Sequence, residues 1–375
     1  NGIIYDSWAQ YIADVCANNY ATGYNYIHQY AAEQTYYGTY RTYDNMKGLD
    51  VFTNSSKMPN LNTNGVFTAT DGYPVLTAFI GKQDVVVSAE EDIVAWNGVV
   101  SESLLGEGTE ESPYLINNGG DLAYAITSGG GNDKFYKITT DIYLNDLADA
   151  NWYTGYRYDQ NLNKWYHNTP FAGTIDGDGH TIFGLYYRDD DVYTTAAWSY
   201  YGAGLVPRVN RGSTVTIKNL ALDYTYIANR NAASAFVGFI GSTGVSDTGE
   251  PYATVNVERC YAGATVMVVG HEAGVFRGGT RYGETYITNC YSLATTEAIE
   301  KNGGTGYTYG LIGNMWDSVC EISYCYNANG PISSEKSTFK RTNCYETEKS
   351  TYGDAKVIAR DNMVGGDVLT NSTKM

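Results

Sequence analysis

The stretch TVNVERCYAGATVMVV, Thr254–Val269, decides the fold. Its apolar and polar residues alternate with period two, the signature of β-strands. Its centre, Cys-Tyr, recurs in ERCYAGATV at Cys260, TNCYSLATT at Cys290, SYCYNANGP at Cys325 and TNCYETEKS at Cys344, at intervals of 30, 35 and 19 residues. The first three are preceded by small and apolar segments, AFVGFIGS from Ala235, AGVFRGGT from Ala273 and YGLIGNMW from Tyr309. An earlier member, GAGLVPRV from Gly202, precedes TVTIKNLALDYTYI. The unit is a Gly/aliphatic strand, a polar loop, then an alternating strand ending in Asn/Arg-Cys-Tyr or Asn-Leu-Ala. Units of about 20–35 residues cannot bury an apolar face alone and must stack on their neighbours. A solenoid of strands is a β-helix, so the chain reads as all-β with ladders of Val, Ile, Leu and small Cys inside it.

A second repeat is much longer. DNMKGLDVFTNSSKM, Asp44–Met58, matches DNMVGGDVLTNSTKM, Asp361–Met375, at eleven of fifteen positions without a gap, 317 residues apart. The chain therefore holds slightly more than one period of a tandem array. A segment similar to PNLNTNGVFTATDGYPVLTAF, Pro59–Phe79, is expected to follow Met375. A long surface polymer needs such an arrangement; a conventional enzyme rarely does.

Composition narrows the classes. At 375 residues, and roughly 150 per domain, two or three domains or one elongated one are expected. Lys+Arg is 24 against Asp+Glu 41, a formal net charge of −17. That argues against sequence-independent nucleic-acid binding, which needs clustered cations, and against docking on an anionic membrane. Charged residues make up 17% and apolar ones 43%, enough for a large core. Tyr at 37 and Gly at 42, with Pro at only 7, point to many short strands and turns. No apolar run reaches the roughly 18 residues of a membrane span. The chain begins at Asn1 without a leader and is read as a fragment. No CxxC pair occurs among Cys16, Cys260, Cys290, Cys320, Cys325 and Cys344, so zinc and thioredoxin-like readings fail. The spacing is too sparse for a disulfide scaffold; one bridge between adjacent rungs stays open.

With these units in hand, the chain resembles bacterial surface proteins that carry GLUG-type repeats on a right-handed β-helix. WNGVVSESLLGEGTEESPYLINNGGDLAYAI, Trp96–Ile126, resembles the group's opening pattern, ending in a short helix at the opening cap. FYKITTDIYLNDLADANW from Phe135 resembles the first rung and FAGTIDGDGHTIFGLYY, Phe171–Tyr187, the next. The closing pattern, an apolar residue and then Asp-Gly-Tyr-Pro-Val-Leu, appears at Val66–Leu76, with Phe67 where the group often has Trp. The resemblance implies a right-handed parallel β-helix. It also implies that residues 1–80 are the last rungs and closing segment of one repeat, 81–95 a connector and 96–375 the next, truncated repeat. It specifies fold far more than function, because such repeats occur in adhesins, wall proteins and enzymes. The connector GKQDVVVSAEED, Gly81–Asp92, is no Pro/Gly/Ser-rich tether, so a semi-rigid array is expected.

Candidate chemistry is sparse. Asp176, Asp178 and His180 in GTIDGDGHTI could pair carboxylates for glycosidic acid/base work. The two Asp-Gly steps read more simply as turns between strands, with His180 packed or hydrogen-bonded. Asp189, Asp190 and Asp191 offer oxygen ligands for calcium but misfit the twelve-residue loop, so a solvated acidic turn is preferred; Asp141, Asp146 and Asp149 read the same way. The histidines His28, His167, His180 and His271 are scattered, and no Gly-x-Ser-x-Gly elbow is present. The cysteines fit a buried ladder rather than a catalytic thiol. Gly129–Lys134, GGGNDK, lacks the Lys-Ser/Thr of a phosphate loop. No catalytic residue, cofactor or metal is assigned.

Tyrosine is the residue type expected to carry function, since its ring is apolar and its hydroxyl reaches water or a partner. The cluster Tyr20, Tyr24, Tyr26, Tyr30, Tyr36, Tyr37, Tyr40 and Tyr43 is too dense to be all core. It is expected to contact a neighbouring repeat, an identical chain or surface polysaccharide. Asn54 and Asn371, in equivalent Asn-Ser-Ser and Asn-Ser-Thr sequons, mark an exposed loop and candidate glycosylation sites, with an ordinary polar turn the preferred reading in a bacterium. The expectation is a non-enzymatic, extracellular structural or adhesive protein, one unit of a β-helix array. The alternatives are a β-helix polysaccharide lyase or hydrolase, with several charged side chains in one groove, and a carbohydrate-binding module with coplanar exposed Tyr.

Overall fold

The fold follows from one repeated corner. At Asn219, Arg259, Asn289, Tyr324 and Asn343 the backbone turns into the left-handed region, with φ of 53°, 48°, 54°, 53° and 53°. Each is followed at once by a buried inward residue, Leu220, Cys260, Cys290, Cys325 or Cys344. Asn tolerates this conformation better than most L-residues, which explains its recurrence in the Asn-Cys-Tyr units. The corner ends one strand and starts another on the next face, and its repetition winds the chain into coils.

The protein is described from a computed structural model, over residues 39–40, 44–80, 94–128, 132–147, 162–189, 202–242, 249–299, 306–316, 318–332 and 339–346. Among these, all but one of the sheets are parallel, as a β-helix requires. One face has eight strands: Tyr114–Ile116, Phe135–Ile138, Gly173–Asp176, Thr214–Lys218, Ala253–Glu258, Gly283–Thr288, Val319–Ser323 and Phe339–Thr342. The next face, reached around the corner, also has eight. They are Ile142–Tyr143, Thr181–Phe183, Ala221–Asp223, Tyr261–Ala262, Tyr291–Ser292, Tyr326–Asn327, Tyr345–Glu346 and, last in space, Thr39–Tyr40. Two smaller parallel sheets close the coil, one around Tyr226–Ser234 and Met267–Gly274, the other around Val237–Gly241 and Arg277–Arg281.

Register puts like residues in columns. Ile175, Ile217, Val257, Ile287 and Ile322 stand one above another on the inner side of the first face, all buried. Each such side chain contributes about 1.5–3 kcal/mol when removed from water. The four corner cysteines form a second column, as the sequence led us to expect. The backbone N–H of Cys260 donates to Cys290 Sγ, and that of Cys290 to Cys325 Sγ, each at 3.4 Å. Every described cysteine is a free thiol.

At the opening end the short helix expected there spans Gly119–Thr127. Asn118 caps it, accepting from the Asp121 backbone N–H at 3.0 Å, and Asp121 in turn accepts from Ser101 Oγ at 2.6 Å. Its buried side, Leu122, Ala125 and Ile126, joins the same core as the first rungs. Gly119 is needed because a Cβ there would meet Trp96 Cβ at 2.5 Å. Among the described residues no helix is long and apolar enough to cross a membrane.

Candidate functional site

In a strand successive side chains face opposite ways, so each Cys-Tyr corner sends Cys inward and Tyr outward. Register then stacks Tyr261, Tyr291, Tyr326 and Tyr345 in one outer column, with Ala221 at its start. The Tyr261 and Tyr291 rings lie 4.9 Å apart and 2° from parallel, those of Tyr291 and Tyr326 5.0 Å and 4°. These separations equal the spacing of neighbouring strands, so the sheet itself sets the stack.

The column is not exposed. Residues 44–80 lie on it and form a separate buried cluster with it: Met46, Val51, Met58, Leu61, Phe67, Leu76 and Phe79 against the four tyrosines. Phe79 meets Tyr261 edge-on at 5.0 Å. Phe67 sits between Tyr291 at 6.5 Å and Tyr326 at 6.1 Å. Tyr73 stacks on Tyr326 at 6.2 Å, and Lys47 Nζ lies 4.8 Å from the Tyr73 ring centre. Two hydroxyls complete the join: Tyr326 Oη donates to the Pro74 carbonyl at 2.5 Å, and Tyr345 Oη accepts from Asn60 N–H at 2.9 Å. Burial, helped by Tyr73, holds the Tyr326 hydroxyl well above its usual range, so it stays a donor.

The segment is shaped by its own polar residues. Phe67–Thr68 and Val75–Leu76 pair antiparallel, and Phe67 N–H donates to Asn62 Oδ1 at 2.7 Å. Upstream, Lys57 Nζ donates to the Lys47 carbonyl at 2.7 Å and also contacts Asp50. Asn54 donates to Asp50 at 3.1 Å and accepts from Ser56 N–H at 2.9 Å. These bonds present Met46, Val51 and Met58 on one side.

Of the tyrosines singled out in the sequence, Tyr20, Tyr24, Tyr26, Tyr30, Tyr36, Tyr37 and Tyr43 lie outside the described residues. Tyr40 belongs to Thr39–Tyr40, which pairs in parallel with Tyr345–Glu346 beside the tyrosine column. Asn54 is half-buried within its turn, and Asn371 is outside the described residues. Asp189 pairs with Arg230 Nε at 3.4 Å; Asp190, Asp191 and Asp149 are outside the described residues. Asp176 and Asp178 do form a turn: Asp178 has φ 50°, Gly179 φ 82°, and Asp176 Oδ1 accepts from the Asp178 N–H at 3.0 Å. His180 Nδ1 lies 3.2 Å from Asp141 Oδ1, which also accepts from Thr181 N–H at 2.9 Å. Asp141, expected as a solvated turn, is thus a fixed part of this corner, because the rung above delivers His180 and Thr181 to it. Among the described residues no group of three or more His, Cys, Asp or Glu could hold a metal.

Two features escaped the sequence reading. Arg277 is fully buried, its Nη1 donating to the Asn314 carbonyl at 2.7 Å and the Gly278 carbonyl at 3.2 Å. Burial lowers it to about 10, while Cys320 and Glu272 hold it up, so it is charged at neutral pH. The same burial pushes Cys320 up to about 11 against the pull of Arg277 and Arg341, which leaves that thiol protonated. In the sequence it is a lone arginine in VFRGG, with no local sign that it is buried. The second is Asp223, which burial raises to about 6 although the Tyr224 and Thr265 donors lower it. Gly263 makes room for it, since a Cβ there would meet the carboxylate at 2.4 Å.

No family model matches the chain. It is 35% identical over 80 residues to halomucin of Haloquadratum walsbyi. That stretch is 21% of this chain and spans about 1% of the relative's length. Among solved structures it is similar to a protein of Bacteroides ovatus described as a candidate immunoglobulin A1 protease. The likeness has a TM-score of 0.38 and 18% identity, over 64% of this chain and 77% of that one.

Proposed function

We propose that the chain is a structural or adhesive part of an extracellular surface protein, one period of a tandem β-helix array that forms a fibre or stalk. The observation that carries this reading is the return of Asp44–Met58 as Asp361–Met375 after 317 residues, with a solenoid filling the interval. A solenoid contacts only its neighbours along one axis, so copies joined in series extend a rod without a new kind of packing. Eight rungs spaced about 4.8 Å apart give each module roughly 4 nm of length. The net charge of −17 keeps such rods soluble and apart. The GLUG-type resemblance and the stretch of likeness to halomucin agree with a surface setting. The partners in this reading are neighbouring modules of the same protein or identical chains. Electron microscopy of the native material tests it: filaments with a regular axial repeat of at least about 4 nm are expected. A parent protein with one copy of the 317-residue period, present as separate globules, would remove the reading.

A further inference from the structure

The closing segment Asp44–Ile80 covers the tyrosine column of the β-helix that follows it in sequence. Behind that β-helix, the chain begins the same segment again at Asp361. The second beginning keeps the three residues of Asp44–Met58 that are buried against the column, while Phe52, which packs at the edge of that cluster, becomes Leu369. Met46, Val51 and Met58, fully buried in the column's cluster, have Met363, Val368 and Met375 as counterparts. Asp50, Asn54 and Lys57, which tie the turn together, have Asp367, Asn371 and Lys374. The four differences fall at Lys47, Leu49, Phe52 and Ser56, none of them buried.

We propose that the tyrosine column, Tyr261, Tyr291, Tyr326 and Tyr345, is a socket for which the segment ahead of a β-helix and the segment behind it compete. This rests on the array reading above. In an array each module is then clasped either by its own closing segment or by that of the module before it. Neither tether decides the outcome. Residues 81–93 lead from one segment to the opening of the β-helix, and 347–360 lead from its last strand to the other. The two connecting stretches are of similar length, so the number of intervening residues favours neither segment. Within the repeated stretch the buried residues are identical, so any preference there comes from the four positions that differ. The exchanged arrangement adds a non-covalent clasp to each covalent junction of the rod. It also reconciles two placements of Asp44–Ile80: its sequence assigns it to the end of a preceding β-helix, while its contacts lie on the following one.

The test offers a labelled peptide, Asp361–Met375 continued by Pro59–Ile80, to the full chain carrying Leu61→Asp and Phe79→Asp, which undock its own segment. Fluorescence anisotropy should show saturable one-to-one binding. An unlabelled Asp44–Ile80 peptide should displace it with an affinity within about tenfold. Adding Tyr326→Ser to the receptor should weaken binding at least about tenfold. No binding by a receptor that keeps its β-sheet circular dichroism overturns the proposal, as does a larger gap between the two peptides or indifference to Tyr326→Ser. Should the double variant lose its sheet signal, the otherwise unchanged chain is cut at a protease site placed within 81–93. Exchange of its own segment for the labelled peptide then supports the socket, and no exchange overturns it. Peptide binding alongside native material without tandem filaments would leave the socket standing and remove the array. Tandem filaments without peptide binding would do the reverse.

Discussion

The face holding Thr214–Lys218 and the face holding Tyr261–Ala262 are two sides of one coil, with the same number of strands and a shared core, yet their outer columns differ in kind. On the first, Thr216, Asn256, Tyr286, Glu321 and Lys340 follow one another, beside Asp176, Lys218, Glu258, Thr288 and Ser323. Neighbours there bond to each other: Asn256 Nδ2 to Thr216 Oγ1 at 3.3 Å, Thr288 to Ser323 at 2.9 Å, Lys340 to Glu321 at 2.6 Å. That column meets water and needs no lid. On the second, four tyrosines replace it, and residues 44–80 are recruited over them. The inner columns make a coil possible; the outer columns decide whether it stays bare or takes a partner. Each aromatic ring buries about 150–250 Å², so a row of them outweighs what scattered surface ion pairs contribute.

The sharpest way to break this contrast is truncation on each face. Tyr326→Ala should cost about 3–5 kcal/mol, the range for buried aromatic deletion, whereas Thr216→Ala should stay within about 0.5 kcal/mol. Urea denaturation of both variants checks it, and equal costs would erase the distinction between the faces. Alkali should follow. Tyr326 is held well above, and Tyr136 pushed by burial to about 12. Both folded values exceed the unfolded one near 10, so their stabilisation is complete below pH 10 and lost as pH rises from there through the folded values. Melting temperature should therefore drop steeply above pH 10, and less steeply in Tyr326→Phe. Asp223 predicts a milder trend in the opposite range. Its folded value of about 6 lies above the ordinary 3.8, so its contribution is full below about pH 4 and is lost as pH rises through 6. Between pH 7 and 5 the chain should gain stability, and Asp223→Asn should flatten that gain. The smallest effect is a gain at one corner: Tyr324→Asn relieves a left-handed φ of 53° and should stabilise by about 1 kcal/mol, seen as a slightly raised urea midpoint.

The strands, the coil and the cysteine column were legible because each is local and repeated. A corner of a few residues, read several times, defines its own period, and Cys followed by Tyr in a strand forces one inward and the other outward. The tyrosine column was half legible. Its members were visible, but nothing in Met46, Val51 or Phe79 names the face they cover, because apolar residues in an irregular segment carry no period. The tyrosines are denser upstream, between Tyr20 and Tyr43, where only Tyr40 falls within the described residues. Arg277 was illegible for a related reason: whether a charge lies in a core depends on Glu272, Cys320 and Asn314, which sit on other elements of the coil.

The column of reduced cysteines has a consequence for manufacture. Disulfide-dependent proteins must mature where oxidants and isomerases are at hand. Here Cys260, Cys290 and Cys325 are fully shielded. Burial pushes the Cys290 and Cys344 thiols well above their ordinary range, while hydrogen bonds from those two neighbours pull Cys325 down against its own burial, so the protection of the column rests on exclusion of reagents from the core. Once wound, these coils are indifferent to the redox poise around them and should endure oxidant and reductant alike. Their moment of hazard is before winding, when the same thiols are bare and near one another along the chain.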